Sequence, residues 1–213
     1  MAVQEAGYQF DVEEAVRHLR AADPVLARIV GAVGPFAMAI RPDPYQMLVR
    51  AIQYQQITGR AAAAIERRFH ELYGGAPPEP AALLATPDEA LRGAGLSRQK
   101  IAYLRDLAAR ALDGTLDTSD LHRLPDEEVI RRVTLVKGIG RWTAEMLLMF
   151  CLGRPDVLPV GDLGLRRGVQ RAYGLPDLPA ADELTRLAEP WRPYRSVATW
   201  YLWQSVRMTL PEG

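Results

Sequence analysis

The chain has 213 residues, 48% of them hydrophobic and 24% charged, which is the composition of a globular protein with enough apolar side chains for a sizeable core. Its 26 basic and 26 acidic residues give no net charge, so the bulk charge does not indicate a nucleic-acid-binding protein. The single cysteine, Cys151, excludes a disulfide within the chain and a cysteine-ligated zinc or iron–sulfur site.

The N-terminal segment does not resemble an export signal. Its sequence, MAVQEAGYQFDVEEAV, carries acids instead of the basic-then-apolar pattern, and no run approaches the roughly 18 apolar residues that span a bilayer. We therefore expect a cytoplasmic protein. His18, His70 and His122 are scattered, so the sequence does not predict a histidine metal site.

Helix starts and helical periodicity recur along the chain. Asp23-Pro24, Asp43-Pro44 and Thr86-Pro87 each combine a capping side chain with a proline suited to the first turn. In residues 98–112 apolar side chains return at three- and four-residue intervals, which predicts an amphipathic helix. No stretch alternates with the period of a strand. The sequence therefore predicts an all-α fold of about ten helices, with the proline-rich segment 74–87 as a lobe boundary.

The segment LVKGIGRWTAEMLLMF, residues 135–150, places a Gly-Ile-Gly turn before an apolar helix. Gly138 and Gly140 allow a tight backbone turn, and the first amide groups of the following helix have no partners within that helix. Such a helix N-terminus suits an anion, and a DNA phosphate is the obvious one. On spacing alone, a hairpin used only for packing is an equal alternative.

Asp162 follows a proline–glycine approach in LPVGDLGLRR and precedes an amphipathic helix. This position is typical of an N-cap, a role that aspartate fills commonly. The approach also exposes the residue, and Trp142 lies on the neighbouring hairpin, so a chemical role for the carboxylate is the alternative. The residue pattern by itself leaves both roles open.

Together these segments resemble the helix-hairpin-helix and Gly/Pro-Asp signature of the base-excision DNA glycosylase superfamily, in its AlkA-like alkylpurine branch. Further matches at residues 50–65, 93–108 and 191–204 occur in the family's order. The resemblance implies two helical lobes with the active-site cleft between them. The central lobe would contain about residues 44–160, including the hairpin, and the second lobe residues 1–43 and 161–213.

The resemblance implies that Asp162 is the catalytic carboxylate, which stabilises positive charge on the deoxyribose and can activate the attacking water. It places Trp142, Met146 and Trp203 around the extruded base, where aromatic faces favour a cationic alkylated purine. Met146 stands where the branch has a tyrosine, which leaves the substrate range open. Members that also nick the strand have a lysine at the position of Trp142, so the implied enzyme is monofunctional, without lyase activity.

Further residues are implied to contact DNA. Gln56 matches the side chain that fills the gap left by the flipped nucleotide, with Gln55 beside it. The phosphate-binding hairpin corresponds to Lys137, Gly138, Ile139, Gly140 and Arg141. The family commonly holds a monovalent cation, Na⁺ or K⁺, on hairpin carbonyls, here those of Leu135, Lys137 and Gly140. No cofactor is required, and the cysteine count excludes an iron–sulfur cluster.

The sequence therefore predicts a monofunctional glycosylase of the 3-methyladenine type II kind, which releases 3-methyladenine and 7-methylguanine after base flipping and leaves an abasic site. Its partner is double-stranded DNA containing alkylated bases, bound by a monomer in the bacterial cytosol or nucleoid, without membrane contact. Two alternatives stay open. One is a non-catalytic helix-hairpin-helix DNA-binding protein in which Asp162 is only a cap, and the other is a glycosylase for ethenoadenine, hypoxanthine or N1- or N3-alkylated bases.

Overall fold

The computed structural model describes residues 7–207, which form twelve α-helices, two short 3-10 helices and no strand. The α-helices are α1 (Val12–Ala22), α2 (Pro24–Val33), α3 (Pro44–Tyr54), α4 (Gly59–Glu71), α5 (Pro80–Ala85), α6 (Asp88–Gly93), α7 (Arg98–Leu112), α8 (Asp126–Val133), α9 (Arg141–Phe150), α10 (Leu163–Tyr173), α11 (Ala181–Leu187) and α12 (Arg195–Arg207). The 3-10 helices are Leu121–Arg123 and Glu189–Trp191. The predicted all-α class is confirmed. No helix in the described part of the chain is long and apolar enough to cross a membrane.

Two of the three predicted helix starts are confirmed. Asp23 and Asp43 cap α2 and α3, and each carboxylate accepts a backbone N–H of its first turn, at 2.8 Å and 3.0 Å. The prediction for Thr86 is wrong. Its hydroxyl donates to the Ala82 carbonyl at 2.8 Å, so it ends α5, and α6 begins at Asp88.

The chain folds into two compact units. The split unit combines the described residues up to Ile40 with those from Leu148 onward, and the contiguous unit is Arg41–Leu147. The proline-rich segment 74–87 lies inside the contiguous unit, so its prediction as a boundary is wrong. The contiguous unit ends within α9, at 147, where the resemblance implied about residue 160.

The split unit is organised around α12, which packs against α10, α2 and α1. Residues 196–202 of α12 are all buried, as expected of a helix surrounded by others. Asp23 is also buried in this unit and accepts the indole N–H of Trp191 at 2.9 Å and the hydroxyl of Tyr173. Burial and the hydrogen bond to Asp23 raise the pKa of Tyr173. Asp23 thus joins the first helices of the chain to the C-terminal half of the same unit.

The contiguous unit is organised around α7, which packs against α3, α5 and α6, while α4 packs against α3. Leu104 and Leu107 of α7 are fully buried. Arg105, on another face, donates to the carbonyls of Leu84 and Thr86 at 2.6 Å, which satisfies the C-terminal carbonyls of α5. This packing fixes the end of α3, from which the loop with Gln55 and Gln56 projects.

Candidate active site

Asp162 begins α10 as its N-cap. The turn before it closes through the Asp162 amide, which donates to the Pro159 carbonyl at 2.8 Å. The Asp162 backbone is extended, with φ −75° and ψ 119°, and its Oδ1 accepts the Leu165 amide at 2.6 Å. The cap predicted from the sequence is confirmed. The half-buried carboxylate therefore lies at the positive end of the α10 dipole.

Trp203 of α12 reaches the same carboxylate oxygen. Its Nε1 donates to Asp162 Oδ1 at 2.8 Å. Phe150, the last residue of α9, stacks on the Trp203 ring, with centroids 5.8 Å apart and an interplanar angle of 13°. Phe150 is absent from the predicted pocket residues, although a signal exists. It follows Trp142 and Met146 at four-residue intervals and so shares their face of α9.

Trp142 and Met146 differ in exposure, although they lie on the same face of α9. Trp142, in the first turn, is 50% exposed, whereas Met146, one turn later, is 8% exposed. About half of Trp142 is therefore accessible to solvent, while Met146 is a packed side chain.

The hairpin between α8 and α9 is built around Gly138. Its φ is +80°, and a Cβ at this position would lie 2.2 Å from the Tyr103 ring of α7. Val136 and Ile139 are buried, and the Ile139 amide donates to the Val136 carbonyl at 3.1 Å. Glycine at 138 is thus required both for the turn and for the close approach to α7.

Asp106 of α7 forms a hydrogen bond and an ion pair with Lys137 of the hairpin. Its Oδ2 accepts the Lys137 amide and Arg110 Nε, each at 2.9 Å, and Lys137 Nζ lies 3.8 Å from its Oδ1. Burial raises the pKa of Asp106, but the hydrogen bonds from Lys137 and Arg110 outweigh burial, so the pKa lies below its ordinary value. The Lys137 amide is engaged within the protein, while its side chain is 70% exposed.

Arg141, the first residue of α9, is engaged by two carboxylates. Its terminal nitrogens donate to Glu127 at 2.5 Å and 3.1 Å, and its Nε donates to Glu145 at 3.1 Å. Hydrogen bonding by Arg141 holds the pKa of Glu127 below its ordinary range. The guanidinium predicted to face phosphate thus has carboxylate partners within the protein, and its charge is locally balanced.

Gln55 and Gln56 lie in the loop between α3 and α4 and are held differently. Gln55 Nε2 donates to the Gly138 carbonyl at 2.8 Å, which ties the loop to the hairpin. Gln56 is exposed and has φ +57°, the one positive φ of a non-glycine residue within 7–207. A left-handed conformation costs such a residue about 1–2 kcal/mol. Strain of this kind clusters at functional positions, and here it fixes the backbone of the predicted duplex plug.

Lys100 supports this loop from α7. Its Nζ donates to the Gln53 carbonyl at 2.7 Å, in the last turn of α3, where a cation also interacts favourably with the helix dipole. Burial lowers the pKa of Lys100. A cavity of about 450 Å³ opens beside it within the contiguous unit. Its lining includes Gln55, Gln56, Lys100, Tyr103, Gly138 and Trp142, so the predicted plug, hairpin glycine and pocket tryptophan surround one cavity.

A metal at this site would depend on backbone oxygens. Residues 7–207 contain no group of three or more His, Cys, Asp or Glu side chains that could hold a metal ion. Of the predicted carbonyl ligands, that of Gly140 accepts the Ala144 amide at 3.2 Å and keeps a second lone pair. This donor set fits a weakly bound monovalent cation, which stays a prediction.

The chain matches a known protein family and several of its members. A family profile described as "HhH-GPD superfamily base excision DNA repair protein" matches residues 49–193. The chain is 37% identical over 185 residues to "DNA-3-methyladenine glycosylase 1" of Schizosaccharomyces pombe, covering 86% of this chain and 81% of that protein.

Solved structures of similar proteins share the fold. The S. pombe 3-methyladenine DNA glycosylase Mag1, solved in complex with abasic DNA, matches with a TM-score of 0.83 and 36% identity over 94% of this chain and 100% of that chain. A DNA-3-methyladenine glycosidase from Bacillus halodurans matches with a TM-score of 0.82 and 41% identity, covering 90% of this chain and 88% of that one. The chain therefore belongs to the HhH-GPD superfamily of base excision DNA repair proteins.

Proposed function

We propose that this protein is a monofunctional DNA glycosylase of the 3-methyladenine type II kind. It binds double-stranded DNA as a monomer, flips an alkylated purine out of the duplex, and hydrolyses its N-glycosidic bond to leave an abasic site. The names of the relatives, glycosylases and glycosidases for 3-methyladenine, support this substrate class. The observation that carries the proposal is the Asp162 carboxylate, fixed by two N–H donors at the start of α10.

Asp162 supplies the chemistry. Breaking the bond between a purine and deoxyribose develops positive charge on the sugar, and a carboxylate that is already oriented stabilises this charge without reorganising. The same group can orient the attacking water or accept its proton. A 3- or 7-alkylated purine carries positive charge before the reaction and leaves without a general acid, so one carboxylate suffices.

In this proposal Trp142, Met146 and Trp203 each contact the extruded base. A cationic purine gains stacking and cation–π attraction on an aromatic face, and the half-exposed Trp142 is suited to provide that face. Trp142 also supports the monofunctional reaction, because an indole cannot form the Schiff base that strand-nicking relatives form with a lysine.

In this proposal the protein binds DNA through backbone amides and through one side chain that fills the gap left by the flipped nucleotide. Gln56 is the better candidate for the plug than Gln55, because the Gln55 amide is engaged by Gly138 whereas the strained backbone at Gln56 projects an exposed side chain. The amides of the hairpin turn and the exposed Lys137 side chain contact phosphate, while Arg141 contributes its amide, since its guanidinium is held by glutamates. A hairpin Na⁺ or K⁺ would add to the phosphate site.

Release of methylated bases tests this proposal. Duplex DNA treated with a methylating agent is incubated with the protein or with the Asp162→Asn variant, and the released purines are separated by chromatography. We expect 3-methyladenine and 7-methylguanine with the unmodified protein and little of either with the variant. Equal release by the two proteins would disprove the role of Asp162, and DNA binding without release by either would establish a non-catalytic clamp.

Two further measurements refine the activity. Borohydride should trap no covalent protein–DNA adduct, because no lysine occupies position 142. Efficient trapping would overturn the monofunctional assignment. Duplexes with single ethenoadenine, hypoxanthine or N1- or N3-alkylated bases then define the lesion range, which Met146 in place of the branch's tyrosine leaves open.

A further inference from the structure

The Asp162 carboxylate is held by donors from two different helices that meet at one atom. Its Oδ1 accepts the Leu165 amide at 2.6 Å from its own helix α10 and Trp203 Nε1 at 2.8 Å from α12. The first bond is the ordinary cap. The second is not needed to cap α10, because the cap bond is already made, and it restrains the carboxylate in a second direction.

The Trp203 ring is itself held in place. Phe150 stacks on the indole at 5.8 Å between centroids, with the ring planes only 13° apart. One face of Trp203 is therefore covered by Phe150, and its polar edge is used by Asp162. Trp142 differs in exposure, because 50% of it is exposed.

Gly164 makes the contact between Trp203 and Asp162 possible. A Cβ at 164 would lie 3.0 Å from Asp162 Oδ1, 3.1 Å from Trp203 Cδ1 and 3.2 Å from Trp203 Nε1. It would thus press on both partners of the hydrogen bond. Glycine within a helix costs about 0.5–1 kcal/mol relative to alanine, so a glycine in the first turn of α10 is unfavourable for the helix alone.

We infer that Trp203 is a positioning residue for the Asp162 carboxylate, acting through its indole N–H, and that Gly164 provides the space for this contact. The inference rests on the proposed function, in which Asp162 stabilises charge on the sugar. A carboxylate oriented before DNA binds does not have to reorganise as the charge develops. Misplacing a reacting group by about 1 Å can cost 10²-fold in rate, so loss of the indole donor should slow the chemical step.

The Trp203→Phe variant tests the inference, because it keeps an aromatic ring that can stack on Phe150 and removes the indole N–H together with part of the ring. Single-turnover release of 7-methylguanine from saturated enzyme measures the chemical step, and fluorescence anisotropy with DNA containing an abasic-site analogue measures binding. We expect the rate to fall about 10- to 100-fold, while the DNA dissociation constant changes less than about 3-fold. If Trp203 only provided a stacking face, phenylalanine would keep the rate within about 3-fold, and that result would overturn the inference.

Trp200→Phe is the matched control, because Trp200 is another tryptophan of α12, is buried, and packs on Phe36 and Tyr201. It reports the general cost of this exchange in α12, and a rate loss equal to that of Trp203→Phe would contradict a specific role for the Trp203 N–H. Gly164→Ala is a second, independent variant that keeps both partners and crowds their contact. It should slow release with unchanged DNA affinity, and a wild-type rate would count against the inference even if Trp203→Phe failed to fold.

These outcomes are distinct from failure of the proposed function. If the unmodified protein releases no methylated base, or if Asp162→Asn releases base at the full rate, the proposed function is wrong. If Asp162→Asn is inactive while Trp203→Phe and Gly164→Ala are both fully active, the proposed function stands and the positioning role is wrong.

Discussion

Replacing Asp162 by asparagine or by alanine separates its structural role from its chemical role. Asparagine keeps an oxygen that can accept the Leu165 amide and the Trp203 indole, but it has no charge. Alanine removes the acceptor of both bonds. Loss of an aspartate N-cap costs about 1 kcal/mol, and loss of one further hydrogen bond about 1 kcal/mol. The alanine variant should therefore lose about 2 kcal/mol of unfolding free energy.

The expected changes are large enough to measure on one preparation. For a chain of this size, about 2 kcal/mol corresponds to a fall in Tm of about 4–8 °C, whereas the asparagine variant should stay within about 2 °C. Both variants should release 7-methylguanine about 10²–10³-fold more slowly, the usual effect of removing one preorganised electrostatic contact. Thermal denaturation followed by circular dichroism and single-turnover base release provide the two readouts.

Asp43→Ala is the control for a simple cap. Asp43 caps α3 through one hydrogen bond of 3.0 Å and is exposed, so its loss should cost about 1 kcal/mol or less and leave base release unchanged. The reasoning is refuted if Asp162→Ala melts at the wild-type temperature, since Asp162 would then not stabilise α10. It is also refuted if Asp162→Asn cleaves at the wild-type rate, since charge would then be irrelevant.

Three further predictions concern the hairpin and the neighbouring loop. Gly138→Ala should cost about 3 kcal/mol or more and weaken DNA binding, because its φ is +80° and its Cβ would lie 2.2 Å from an aromatic ring. Gly140→Ala is the control, because its Cβ meets nothing within 4 Å, and it should cost under about 1 kcal/mol of unfolding free energy. Urea denaturation compares the stability of the two variants, and mobility shifts compare their DNA binding. Gln56→Gly should change the unfolding free energy by less than about 0.5 kcal/mol, since relief of strain at φ +57° offsets the entropy of glycine, yet slow release from duplex DNA. Equal slowing on single-stranded substrate would exclude a plug. Because the pKa of Asp106 is lowered in the folded protein, its stabilisation is complete above the ordinary value of 3.8 and is lost as the pH falls through the lowered value. Between about pH 7 and about pH 3, the unfolding free energy of Asp106→Asn should therefore fall less than that of the wild type. Urea midpoints measured at both pH values report the two changes, and an equal fall in both proteins would exclude this role for Asp106.

Local features of the fold are predictable from the sequence because their partners are close neighbours. Asp23, Asp43 and Asp162 each cap a helix through amides two or three residues away, so residue type and position are enough to identify them. The prediction that Thr86 begins α6 is wrong for a local reason as well. Its hydroxyl can bond either forward to α6 or backward to the Ala82 carbonyl, and the backward bond forms.

Contacts between distant segments are not predictable in this way. The Trp203 indole meets a carboxylate 41 residues earlier, and the Arg141 guanidinium meets Glu127, 14 residues earlier. Nothing in the composition of either segment selects these partners. The family resemblance supplies candidate roles for Asp162 and Trp203, but only the packing of α12 brings the Trp203 N–H to the carboxylate, and only the structure shows the ion pairs of Arg141.

The division of the chain has a consequence for how the protein is made on the ribosome. Residues 41–147 are continuous, so the contiguous unit can fold soon after its last residue emerges. The split unit cannot fold this early, because the hydrogen-bond partners of Asp23, Tyr173 and Trp191, are synthesised 150 and 168 residues later. At about 5–20 residues per second, helices α1 and α2 wait on the order of ten seconds with apolar faces unburied. During that interval Leu19, Leu26 and Ile29, which are buried in the folded protein, lie on helices that have not yet packed against α12.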